Sequence, residues 1–314
     1  MVAPTLKCRR EARIYRTNWS PFCEKIFNFV RDVDFLVSNG ASESIIIKAD
    51  FSMNDVCYTK VAFKITLKQF AADSAYCTEM KMYNLVSDFA FSGDIPFVMQ
   101  YYHAETCSTA QFINNLPSLE MQKEFARQYV AINIMQPTRD FVMPALPDSL
   151  GSLFTTWPTK SEDVQRFVDA LQNPAIAADQ DKTELLIIMM ERSEGLPLAN
   201  WSDKYNSDML VGLLAQIMWT LSRFEQLGVM HHDLHLGNVF VENVDPPVTW
   251  KLFFGPGQDE FVAITTKYMA KIFDWDHACI VPHEKNTSVS VINEDLNRQS
   301  YCKLHGECNT FLKG

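Results

Sequence analysis

The stretch from Asp208 to Leu227 does most to frame this chain, because its helical periodicity is clear and its end is marked. Leu210, Leu213, Leu214, Ile217, Met218, Leu221 and Phe224 recur at three- and four-residue spacings, which puts them on one face of a helix. Gly228 stands where the left-handed residue that closes a helix belongs. A helix ending there delivers the chain to Val229–Phe240, a polar segment with three histidines, an acid and a carboxamide, followed by apolar residues that lead into a strand.

Upstream the periodicity changes. Asp34 to Ser38, Ser44 to Ala49 and Tyr58 to Leu67 read as strands, with Asn39-Gly40 as a turn between the first two. A helix is predicted from Ala75 to Ser87, with Tyr76, Met80, Tyr83 and Val86 as its buried stripe, and a fourth strand from Ile95 to Tyr102. An irregular region, read as an insertion over about 104–181, carries predicted helices at Leu119 to Ile134 and Glu162 to Leu171. Glu184 to Glu191 is a strongly apolar strand, and Arg192 to Pro197 reads as a connector. The expectation is an α+β fold of two lobes. Residues 1–191 would form an antiparallel sheet plus helix with the insertion, and residues 192–314 a short, mainly helical lobe. No internal repeat or low-complexity segment interrupts this order.

Charge and composition exclude some functions. A formal net charge of −10 opposes a surface built to neutralise nucleic-acid phosphates, so direct nucleic-acid binding is not expected. The basic group Lys7, Arg9, Arg10, Arg13 and Arg16 reads as a solvated N-terminal segment. Eight cysteines are scattered through a core-rich chain, which favours a reducing, cytoplasmic setting over a secreted disulfide scaffold. The apolar run Leu185 to Met190 is far short of the roughly 20 residues that span a bilayer, and no signal core is seen at the N-terminus. Cys302, His305 and Cys308 lack the paired C-x-x-C spacing of a zinc site and read as structural.

The chemistry concentrates in His231-His232-Asp233-Leu234-His235-Leu236-Gly237-Asn238. An acid opening such a loop can accept the proton of an attacking hydroxyl, and a carboxamide five residues on can turn inward to a phosphate-bound metal ion. Hard oxygen ligands suit magnesium or manganese. His231 reads as packing beneath the loop with a hydrogen bond to backbone near Asp274, and His235 as either a satisfied imidazole or a substrate contact.

This loop, with Ile272-Phe273-Asp274-Trp275-Asp276 downstream, resembles the protein-kinase-like superfamily, whose pattern is H-x-D-L-x-x-x-N followed by a metal-binding Asp. The form is similar to the divergent branch that includes aminoglycoside and choline phosphotransferases and viral Ser/Thr kinase-like proteins. Lys60-Val61-Ala62-Phe63-Lys64 resembles the V-A-I-K strand, which makes Lys64 the ligand of the nucleotide α- and β-phosphates and Glu79 its partner.

By position, Val37 to Ser44 replaces the glycine-rich loop with a single glycine, so that Gly40, Ala41 and Ser42 would approach the phosphates. Met190 would border the adenine, and Glu191 to Ser193 would form the hinge. The resemblance implies an ATP-dependent phosphotransferase with Asp233 as catalytic base, Asn238 and Asp274 as ligands of Mg2+ or Mn2+, and Asp276 as either a further ligand or a solvated acid.

Its acceptor would be a protein hydroxyl, as in a divergent Ser/Thr protein kinase of large-DNA-virus type placed in host cytoplasm or virion. The alternatives are a small-molecule acceptor and a pseudokinase that uses the insertion as a partner surface. No A-P-E element follows Asp274, and His232 replaces the usual Arg, so control by a phosphorylated activation loop is not expected.

Overall fold

Alternation of apolar and polar residues builds the first sheet. Ile45, Ile47, Ala49 and Phe51 on one strand and Val61, Phe63 and Ile65 on the next are buried, while Lys48, Lys60 and Lys64 between them stay partly exposed. The structure, a computed structural model, describes residues 22–36, 44–53, 57–67, 82–83, 85–90, 94–135, 165–166, 168–169, 184–201, 207–253, 260–275 and 278–280. The chain divides into two compact units: Met1–Ala72 with Tyr102–Arg192, and Asp73–Tyr101 with Ser193–Gly314.

The first unit holds a mixed α+β arrangement around a five-stranded antiparallel sheet. Its strands are β1 (Val30–Leu36), β2 (Ser44–Met53), β3 (Cys57–Leu67), β4 (Tyr101–Ser108) and β5 (Glu184–Glu191), in the order β1-β2-β3-β5-β4. β5 lies inside the sheet, and Leu185 to Glu191 are all buried, which is why its sequence is continuously apolar rather than alternating.

Two strands differ from the sequence expectation. β1 begins at Val30, earlier than the predicted Asp34, and absorbs a register shift between Arg31 and Asp34 where Asp32 takes φ 48°. The strand expected at Ile95 to Tyr102 is instead Tyr101–Ser108, so residues 104–108 of the segment read as an insertion complete β4. The apolar run before it is buried for another reason: Phe97 and Met99 belong to the second unit and bond the backbone of Ile272 within it.

Short helix α1 (Phe22–Lys25), α2 (Thr109–Asn115) and α3 (Leu119–Met135) complete this unit. The last agrees with its predicted span. Cys23 of α1 and Cys107 of β4 form a disulfide across 84 residues, a bond that the reading of scattered cysteines in a reducing setting does not anticipate. Asn115 Nδ2 donates to the Cys23 carbonyl at 3.0 Å, and Phe22 packs on His103 with ring centroids 4.6 Å apart.

In the second unit α4 (Ser207–Gln226) carries the predicted periodicity and ends at Gly228 with φ 73°. Its buried face is rotated from the one read off the leucines. Leu213, Ile217 and Phe224 are buried, together with Gln216 and Thr220, whereas Leu214 is 54% and Met218 65% exposed. The remaining strands are β6 (Leu196–Pro197), β7 (Val229–Met230), β8 (Val239–Phe253), β9 (Phe261–Ile272) and β10 (Cys279–Ile280).

β8 and β9 form a long antiparallel hairpin in a sheet of order β6-β8-β9, and β7 pairs with β10. The expectation of a mainly helical second lobe is therefore corrected among the described residues, where β-branched and aromatic residues in 239–253 and 261–272 favour strand. Tyr83 and Val86 of the predicted upstream helix are buried, and residues 85–90 are helical. No helix among the described residues is long and apolar enough to cross a membrane.

Candidate functional site

The loop after β7 folds around two anchors. Asn238 ends a 3-10 turn, Leu236–Asn238, which His235 caps by accepting from Gly237 N at 3.0 Å through Nδ1. A Cβ at Gly237 would come within 2.7 Å of the His235 ring and push it from this cap. This defines His235 as an exposed capping side chain, neither a core imidazole nor a residue set apart from Asp233, whose Oδ2 lies 3.9 Å from His235 Nε2.

Asn238 is buried, and its Nδ2 donates to the Asp233 carbonyl at 2.9 Å and approaches Asp233 Oδ2 at 3.4 Å. The amide nitrogen is thus committed to the loop, which fixes the direction of the carboxamide oxygen. Asp233 itself is partly exposed.

The second anchor joins this loop to Asp274. Phe273 N donates to the Asn238 carbonyl at 3.1 Å, and the Phe273 carbonyl accepts from His231 Nε2 at 2.9 Å. The residue preceding Asp274 is therefore held on both sides by the 231–238 segment, as the sequence reading of His231 expects. His231 is buried, its ring lies 4.5 Å from that of Trp275, and Trp275, fully buried, packs edge-on against Phe224 of α4.

Burial pushes the His231 pKa down. The Phe273 carbonyl and the carboxylates of Asp274 and Asp233 oppose that shift without cancelling it. A neutral imidazole with its proton on Nε2 is the form this geometry requires. His232 and Asp274 have φ of 61° and 66°, so two of the three non-glycine residues with positive φ among the described residues lie here. Side chains rarely take that conformation without surrounding contacts that enforce it.

The oxygen donors on this unit are a carboxylate from Asp274 and a carboxamide from Asn238. Among the described residues no group of three or more His, Cys, Asp or Glu is gathered for a metal ion. Magnesium does not need one, because it keeps several waters and takes one or two protein oxygens plus phosphate. The donor set fits such an ion and does not fit a closed zinc site.

In the first unit, Lys64 sits in the middle of β3, paired with Ile46 of β2 and Ile188 of β5. Met190 and Glu191 pair with Ala62 and Val61 and are both buried. Arg192 N donates to the Lys60 carbonyl at 3.1 Å, and its guanidinium lies 3.4 Å from Asp50. Gly40, Ala41, Ser42, Glu79, Asp276 and the Cys302–His305–Cys308 group lie outside the described residues, as does most of the segment read as an insertion.

Sequence reasoning missed Gln216, whose side chain bonds the backbone of β9 at Tyr268 and Ala270. The available signal was a glutamine among the leucines of an apolar helix face. No family model matches this chain, and no curated protein matches it.

Proposed function

We propose that this protein is an ATP-dependent phosphotransferase with a divergent protein-kinase-like fold, transferring the γ-phosphate to a hydroxyl, with a Ser/Thr protein acceptor as its substrate class. The observation that carries the reading is the mutual anchoring of Asp233, Asn238 and Asp274 through the Asn238–Asp233 and Phe273–Asn238 bonds and the His231–Phe273 bond. The order β1-β2-β3-β5-β4 with Lys64 on the third strand supports it, since the phosphate-binding lysine of this superfamily belongs on that strand.

In this reading Asp233 orients the acceptor hydroxyl and takes its proton, and its partial exposure leaves it open to substrate. Asn238 and Asp274 hold a divalent ion that neutralises phosphate charge when bound. Lys64 contributes a fixed positive charge to the α- and β-phosphates. Catalysis of this kind is positioning and electrostatics, so removal of any one group is predicted to cost on the order of 100-fold or more in rate.

The test is transfer of labelled γ-phosphate from ATP with Mg2+ or Mn2+ to the protein itself, to generic protein acceptors and to small alcohols and amines, beside Asp233→Ala and Asp274→Ala. Label on protein that disappears in both variants is expected. Label confined to a small molecule would replace the acceptor class, and absence of transfer from a folded sample would contradict the proposal.

A further inference from the structure

The strand that leads to Asp274 is gripped from its outer side. Among the described strands β9 pairs with β8 on one flank, and the backbone groups of its other flank take partners from elsewhere. Gln216 of α4, fully buried, supplies them: its Oε1 accepts from Ala270 N at 2.8 Å and its Nε2 donates to the Tyr268 carbonyl at 2.9 Å. A side-chain carboxamide has one acceptor and one donor group, so it can imitate a neighbouring strand for one repeat.

The imitation continues along the chain. Ile272 N donates to the Phe97 carbonyl and the Ile272 carbonyl accepts from Met99 N, both at 2.9 Å. Lys271, itself buried, reaches the Val98 carbonyl with Nζ at 3.5 Å. Residues 268, 270 and 272 are thus paired in succession, up to two positions before Asp274. Thr220 Oγ1 donates to the Gln216 carbonyl at 2.8 Å, a bond within the helix that leaves the Gln216 carboxamide free to face β9.

We infer that Gln216 is a positioning residue for Asp274: by pairing with Tyr268 and Ala270 it locks the register of β9 and so holds the Asp274 carboxylate where it takes a divalent cation. The inference rests on the phosphotransferase reading of Asp274. Register is the quantity at stake because a slip of one residue turns every side chain of a strand to the opposite face. Leucine at this position would fill the space and leave the buried Ala270 amide and the half-buried Tyr268 carbonyl without their Gln216 partner.

The experiment compares Gln216→Leu and Gln216→Glu with Leu213→Ala, which disturbs buried packing of the same helix without touching the β9 bonds. Amide exchange is followed across 268–274, and Mn2+ affinity is read from the free-ion electron-spin signal in the presence of a non-hydrolysable ATP analogue. Gln216→Leu is expected to speed exchange of the Ala270 and Ile272 amides and to weaken Mn2+ binding by about tenfold beyond Leu213→Ala, as loss of buried hydrogen bonds implies.

Gln216→Glu is expected to regain affinity as pH is lowered, because a protonated carboxyl restores one donor and one acceptor. Should the leucine variant not fold, the glutamate variant at two pH values gives the same comparison. Exchange and Mn2+ affinity in Gln216→Leu equal to those in Leu213→Ala would overturn the inference alone. A wild-type protein that binds no Mn2+ with the nucleotide analogue would overturn the phosphotransferase reading and the positioning role with it, even where exchange still responds.

Discussion

His231 shows how one side chain can tie the 231–238 loop to the backbone beside a second acid. Its Nε2 proton is used by the Phe273 carbonyl and its ring is covered by Trp275. Burial lowers its pKa from the ordinary 6.5, so the unfolded chain binds a proton more readily than the native one. The stability this residue contributes is fully present above about pH 6.5 and is lost as pH falls through the depressed native value. Thermal melts at pH 8 and pH 5.5 should therefore separate less in His231→Gln than in the wild type; an equal separation would contradict the assignment. At this scale the candidate residues Asp233, Asn238 and Asp274 were picked out by the H-x-D-L-x-x-x-N spacing and the acid after Phe273, and the bond from His231 to backbone beside Asp274 was expected. Gln216 was not, because a helical stripe reports which residues face inward and says nothing of which backbone they meet.

Among the elements, the first unit combines short helices with a sheet whose edge is stapled. The Cys23–Cys107 disulfide closes a loop of 84 residues and ties α1 to β4. By loop-closure entropy alone such a bond stabilises by up to about 4 kcal/mol, acting on the unfolded chain. Cys23→Ser, or reduction under native conditions, should lower the melting temperature by several degrees, at about 2 to 4 degrees per kcal/mol for a unit of this size. A shift below one degree would show that the bond does not form in solution.

Periodicity located β2, β3, β5, α3 and α4 because each carries a local pattern of two or 3.6 residues. It misplaced β4 because Ile95 to Met99 are apolar for the sake of pairing with Ile272, far away in sequence. The pairing of Cys23 with Cys107 was equally invisible, since scattered cysteines do not disclose their distances.

For the whole molecule, the chain divides into two units, the first with Lys64 on β3 and the second with Asp233, Asn238 and Asp274. The connector after Glu191 lies where one unit gives way to the other, but residues 73–101, read with the first lobe, fall in the second unit, where Phe97 and Met99 bond Ile272. The long β8/β9 hairpin was not legible in the sequence, because strand pairing over 239–272 depends on partners that periodicity does not name. The most direct test of the central claim is calorimetric titration of ATP with and without Mg2+ into the wild type and Asp274→Ala. The account predicts binding that strengthens with Mg2+ and loses that strengthening in the variant. ATP affinity indifferent to Mg2+, or a Mg2+ effect that survives Asp274→Ala, would contradict it.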